Sequence, residues 1–219
     1  MMKRLLMAAL VLTTLAASGQ QLKTVGTDIE HLKPEGWLHF ADYADVTGDG
    51  VTDIVAVLQP CDSTKMRKCE DGFYHNYNKP VLAIYLGEPD GKMHLFRSYD
   101  SITVASDDEY VELTTFARVS ERGNVVIDVD THVTAGSWAT TRTSYVFRYQ
   151  DGDFYLIGKE KQHLNRRTLD RENISENYLT GKRCIVNTND ETGSRKEAWE
   201  TIGKKTPLQR LGDFVLCDD

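Results

Sequence analysis

The sequence predicts an all-β fold of antiparallel sheets, propeller-blade-like or sandwich-like, in a single domain. Three observations predict it. Short apolar or alternating runs recur along the chain, glycine-containing turns separate them, and no long segment carries a 3.6-residue apolar period.

The chain opens on Lys3 and Arg4, an apolar run from Leu5 to Leu15, and the small residues Ala16-Ala17-Ser18-Gly19. A basic start, a short apolar stretch and a small-residue cleavage site predict a secretory signal peptide over residues 1–19. The run is shorter than the roughly 20 residues that span a bilayer. No cysteine follows it, so no lipid anchor is expected. Residues 20–219 then form one exported domain, periplasmic or secreted, of about 200 residues, enough for a substantial core. Loss of Lys3 and Arg4 takes the formal charge from −7 to −9. An acidic domain of this kind is not expected to bind nucleic acid or an anionic membrane surface by charge. No later stretch reaches transmembrane length.

Gln20–Glu35 reads as a polar lead-in that ends at Pro34-Glu35-Gly36. Trp37–Asp42 and Val51–Gln59 are the first two strands. Ile54, Val55, Ala56, Val57 and Leu58 are apolar on both faces, which predicts a central strand covered on both sides. Pro60 to Pro80 reads as a long polar loop. Val81–Leu86 is a third strand, and Glu88-Pro89-Asp90-Gly91 turns it into Lys92–Ser98. Tyr110–Val119 and Asn124–Val133 follow across Ser120–Gly123. Arg142–Gln150 and Phe154–Lys161 form a hairpin at Asp151-Gly152. Further strands are expected at Tyr178–Val186 and Glu197–Ile202, with Arg166 to Glu176 a solvated loop or edge.

One stretch carries recognisable chemistry. In Asp45-Val46-Thr47-Gly48-Asp49-Gly50-Val51-Thr52-Asp53, oxygen-bearing side chains fall at positions 1, 3, 5 and 9, with glycine at 6. This spacing wraps hard oxygen ligands around Ca²⁺: Asp45, Thr47, Asp49, the Val51 carbonyl and Asp53. Close carboxylates without a cation would repel one another. Position 12 is Ala56, not the bidentate Glu of an EF-hand, and the flanks are strands, so the loop is expected to pin two strands rather than two helices. Solvated aspartates on a polar hairpin are the alternative.

That loop and its strand, followed by Val81–Leu86 and Pro89-Asp90-Gly91, resemble one FG-GAP/VCBS-type repeat over residues 37–98. The resemblance implies a blade-like β unit of the kind found in exported bacterial proteins. Thr47 stands where the repeat usually carries Asp or Asn. No second loop of the same spacing occurs, so a multi-blade propeller is not expected. Ala135–Trp138 and Tyr145–Phe154 are similar to uncharacterised exported proteins that carry one such repeat.

Cys61, Cys69, Cys184 and Cys217 are an even set, which predicts disulfides in an oxidising compartment. Three pairings exist; loop closure favours Cys61–Cys69 and Cys184–Cys217. Asp128, Asp130 and His132 alternate along one strand opposite Val125, Ile127, Val129, Thr131 and Val133. They could hold a metal or pair as acid and base, but the pattern is that of a half-buried strand with a wet side. Tyr145, Phe147 and Tyr149 share the face of another strand and read as packing. Tyr74, Tyr77 and Trp138 are the aromatic side chains placed for a ligand surface, on the loops Pro60–Pro80 and Ala135–Arg142. No catalytic constellation is evident. The expected function is a calcium-stabilised binding module of the cell envelope with a protein or glycan partner. The competing expectation is a hydrolase using a carboxylate pair.

Overall fold

A computed structural model describes residues 21–68, 72, 74–102, 110–133 and 135–216. The expected signal peptide, Cys69 and Cys217 lie outside the described residues.

The elements in order are β1 (Val25–Gly26), α1 (Ile29–Leu32), β2 (Leu38–Ala44), β3 (Asp53–Gln59), β4 (Met66–Lys68), β5 (Tyr74–Asn76), β6 (Val81–Gly87), β7 (Met93–Tyr99), β8 (Val111–Val119), β9 (Val125–Val133), β10 (Ala139–Gln150), β11 (Asp153–Asn165), β12 (Asp170–Asn177), β13 (Lys182–Asn189) and β14 (Arg195–Thr201). They form a five-stranded sheet ordered β1-β7-β6-β3-β2 and a seven-stranded sheet ordered β14-β13-β12-β11-β10-β9-β8, with β4 and β5 as a separate hairpin. Every pairing is antiparallel. The all-β expectation holds, and the two large sheets pack as a sandwich. Among the described residues no helix is long and apolar enough to cross a membrane.

The period-2 rule explains the core. On β3 and β6, Val55, Val57, Leu82 and Ile84 point toward the seven-stranded sheet, where Val125, Ile127, Phe147, Phe154 and Leu156 meet them. The alternate residues Ile54, Ala56, Leu58, Ala83 and Tyr85 pack on the other side against Ile29 and Leu32 of α1. This second small core is why Ile54–Leu58 is apolar without alternation. The short α1 escaped the sequence reading because it is a single turn; Asp28 caps it, its Oδ1 accepting from the His31 N–H at 2.9 Å.

The β10–β11 hairpin turns at Asp151 (φ 51°) and Gly152 (φ 77°), the positive pair that a two-residue turn requires. Tyr145 and Phe147 are buried in the core as expected. Two segments differ from expectation. Pro60–Pro80 is not one open loop, since β4 and β5 pair within it and Arg67 lies over the Tyr77 ring at 5.0 Å. The run Arg166 to Glu176 is largely the strand β12. Its sequence is polar because the ladders to β11 and β13, rather than burial, hold it.

Beyond β11 the seven-stranded sheet outruns its partner sheet. No residue of β12 or β13 is more than half-buried, and all seven residues of β14 are exposed. The C-terminal segment then returns across the sandwich. Leu156 N donates to Gln209 O at 2.9 Å, and Leu211 and Phe214 enter the main core.

The disulfide expectation is not met at the described cysteines. Cys61 and Cys184 are both free thiols, so the Cys61–Cys184 pairing does not form. Cys61 is exposed beyond the end of β3, whereas Cys184 lies within β13, opposite Ser175 and Trp199.

Candidate functional site

The Asp45–Asp53 loop joins β2 to β3, and its acidic residues hold the turn through backbone amides. Asp45 Oδ1 accepts from Gly48 N at 2.6 Å and Asp49 N at 3.3 Å, and Oδ2 accepts from Gly50 N at 2.8 Å. The chain can bring those amides round because Gly48 and Gly50 take φ of 81° and 86°. The Thr47 hydroxyl also points to Asp45 Oδ1, at 3.4 Å. Asp49 Oδ1 accepts from Val51 N at 2.8 Å. The loop amides, that of Gly50 foremost, hold the Asp45 carboxyl below its ordinary value.

Asp53 behaves differently. It is the first residue of β3, 0% exposed, and turned inward. Its Oδ2 accepts from Val46 N and its Oδ1 from Gly87 N, both at 2.9 Å. Burial pushes its carboxyl above the ordinary value; the Gly87 and Val46 amides work against the rise, and the charge of Asp49 adds to it. At Gly87 the end of β6 lies so close to the loop that a Cβ would sit 2.1 Å from the Thr52 carbonyl oxygen. The β8–β9 turn covers the loop as well, where a Cβ on Gly123 would come within 3.0 Å of the Asp45 carbonyl oxygen.

The five expected calcium donors are therefore on one loop, but their carboxylates are individually engaged. Among the described residues, no group of three or more His, Cys, Asp or Glu side chains is placed to hold a metal ion. The donor set is all oxygen, the chemistry that suits a hard cation such as Ca²⁺. Gathering it around an ion requires Asp45 and Asp53, both of whose oxygens accept from amides, to share them between metal and amide.

On the outer face of the seven-stranded sheet, Asp128, Asp130 and His132 point the same way, as their alternation requires. Each has its own cross-strand partner. Asp128 accepts from Arg118 Nε at 2.7 Å and Ser144 Oγ at 2.5 Å. Asp130 takes a bidentate pair from Arg142, both contacts at 2.6 Å. His132 Nδ1 lies 3.3 Å from Thr140 Oγ1. The two carboxylates thus answer to separate arginines rather than to each other.

The aromatic candidates occupy different hairpins. Tyr74 is 68% exposed on β5, and Trp138 is 59% exposed between β9 and β10. The backbone around Trp138 is fixed by Arg166, which donates to the carbonyls of Val133 (2.8 Å), Ser137 (3.3 Å) and Trp138 (3.3 Å). Tyr77 packs with Arg67.

A polar cleft was not legible in the sequence. Where the seven-stranded sheet leaves the sandwich, the register places His163, Glu172, Asn187 and Lys196 side by side on four strands. With Asn165, Asp170 and Asn189 they line a cleft of ≈ 360 Å³. The only sequence signal was the even spacing of polar residues on β11 to β14, which becomes a surface only once the pairing is known. No family model, curated protein or solved structure matches the chain.

Proposed function

We propose that this protein is an exported binding module of the cell envelope, braced by Ca²⁺ at the Asp45–Asp53 loop and not itself a catalyst. The observation that carries the reading is the cleft on the uncovered half of the seven-stranded sheet. Its walls offer amide, carboxylate, imidazole and ammonium groups within one open site. Rigid strands present those groups without the cost of ordering a loop. Such a surface suits a ligand rich in hydroxyl or amide groups, a glycan or a peptide, held by many hydrogen bonds. The salt bridges at Asp128 and Asp130 favour binding over hydrolysis, because a general acid and base need carboxylates free to exchange protons with substrate.

Calcium is the proposed cofactor on the strength of the loop's spacing and all-oxygen donors. Its role would be to neutralise Asp45, Asp49 and Asp53 and fix β2 against β3. The basic start, apolar run and small residues of the sequence over 1–19 support export to the periplasm or beyond, and the resemblance to an FG-GAP/VCBS repeat is consistent with such a setting.

The test is a glycan array and an envelope-extract pull-down, each run with Ca²⁺ and with chelator. Glu172→Ala and Asn187→Ala are expected to lose the ligand while keeping the fold. A ligand retained by both variants, or a substrate turned over by the wild type, would defeat the reading.

A further inference from the structure

We propose that the protein pairs with a second copy of itself along β14, joining two seven-stranded sheets edge to edge. Among the described residues β14 is the last strand of its sheet, with β13 on one side and no strand on the other. All seven of its residues are exposed. A free strand edge is a template for another strand, and proteins usually block it with charges or a bulge. Here the charges complement themselves.

The strand reads Arg195-Lys196-Glu197-Ala198-Trp199-Glu200-Thr201. A two-fold axis perpendicular to the sheet at Ala198 sets Lys196 opposite the partner's Glu200, and Glu200 opposite the partner's Lys196. One copy's Arg195 then faces the partner's Thr201. Moving the axis one residue toward Arg195 would place Glu197 against the partner's Glu197, and moving it to Trp199 would lose both Lys196–Glu200 pairs, so the charge pattern favours the Ala198 register. Among the described residues Lys196 has no ion-pair partner, whereas Glu200 already receives Arg183 at 3.3 Å.

The backbone is in phase with this register. Asn189 N donates to Ser194 O at 3.1 Å and Ile202 N to Gly181 O at 2.9 Å, at the two ends of the β13–β14 ladder. Antiparallel ladders alternate, so Lys196, Ala198 and Glu200 turn their backbone groups toward β13. Arg195, Glu197, Trp199 and Thr201 turn theirs outward. In the Ala198 register those outward groups face one another: Glu197 exchanges bonds with the partner's Trp199, and Arg195 with the partner's Thr201. Lys196 and the partner's Glu200 then form a non-hydrogen-bonded pair, the kind in which side chains approach most closely.

Trp199 explains itself in the same arrangement. It is 66% exposed, and its indole N–H donates to Glu197 Oε1 at 2.9 Å. Across the axis it lies diagonal to the partner's Trp199, within reach for an aromatic side chain. The pairing covers both rings.

Analytical ultracentrifugation of the purified protein is expected to show a monomer–dimer equilibrium. Lys196→Glu replaces two attractive pairs with two repulsive ones and is expected to weaken the dimer roughly 10-fold or more. Glu200→Lys does the same. An equal mixture of the two variants restores both pairs and is expected to form a heterodimer. Trp199→Pro removes an outward N–H that β13 does not use and is expected to leave a folded monomer by circular dichroism. Should Trp199→Pro fail to fold, the mixing experiment decides alone. A wild type that stays monomeric at every concentration overturns the proposal, as does a dimer that neither charge variant weakens or a mixture that does not re-form it.

Discussion

Gly87 N donates to Asp53 Oδ1 at 2.9 Å, tying the end of β6 to the first residue of β3. The same carboxylate reaches Val46 N through its other oxygen. One buried side chain thus closes the Asp45–Asp53 loop and joins neighbouring strands of the sheet. Asp53→Ala leaves both amides without that acceptor, the Val46 amide buried and the Gly87 amide half-buried. Each orphaned amide costs about 1–3 kcal/mol. Urea denaturation is expected to show a loss of that order, with an unchanged m-value. A variant as stable as the wild type would mean that the loop rearranges to find other acceptors.

The same residue sets a pH dependence. Burial raises the folded carboxyl of Asp53 above its ordinary value of 3.8. The folded state therefore binds this proton more tightly than the unfolded chain. Asp53 contributes stability that is complete below the unfolded value and is lost as pH rises through the raised folded value. Asp45 runs the other way. Its lowered carboxyl favours the folded state above 3.8, and that contribution fades as pH falls through the lowered value. The difference between wild type and Asp53→Asn isolates the first effect. Plotted against pH, the wild type's stability relative to the variant should decline as pH climbs above 3.8; a flat difference would refute the assignment.

Much of the strand pattern was legible because burial leaves a periodic trace. The continuous run Ile54–Leu58 announced a strand covered on both faces, whereas the wet side expected along Val125–Val133 is only partly there, since Val126 and Asp128 are buried. β12 was illegible for the opposite reason. Its residues Asp170–Asn177 include one aliphatic side chain, Ile174, and the ladders that hold it leave no mark on the side-chain pattern. The cleft was hidden likewise, since Asn187 and His163 become neighbours only through the register of β11, β12 and β13. At the Asp-rich loop the spacing was readable, but the inward turn of Asp53 was not; it depends on Gly87, which is 34 residues away in sequence.

Calcium is expected to raise the melting temperature. A ligand present at 100 times its dissociation constant adds about 2.7 kcal/mol to the folded state. Thermal unfolding in millimolar Ca²⁺ against chelator reads this directly. Asp49→Ala is the variant of choice, because Asp49 supports only the Val51 amide within the exposed loop. It should abolish the calcium-dependent rise at little cost to the chelator-treated protein. Identical melting with and without Ca²⁺, together with no heat of binding by calorimetry, would remove calcium from the account.

Phe214 offers a test of how the C-terminal segment closes the sandwich. Its ring lies 4.9 Å from that of Tyr145 and 5.4 Å from that of Phe147, and the residue is 6% exposed. The backbone around it is secured to the first half of the chain, where Ser101 Oγ donates to Phe214 O at 3.1 Å. Leu211 shares the core, and Leu156 N and Tyr178 O pair with the backbone of Gln209 and Lys205, so the Phe214 ring is one anchor of the segment among several. Phe214→Ala removes a buried ring from a packed core, a change that costs about 3–5 kcal/mol when the cavity does not collapse. The loss is local in origin, so limited proteolysis should cut first within residues 203–216. Cleavage that begins in the β12–β14 lobe instead would show that the sheet extension, and not the returning segment, is the weaker attachment.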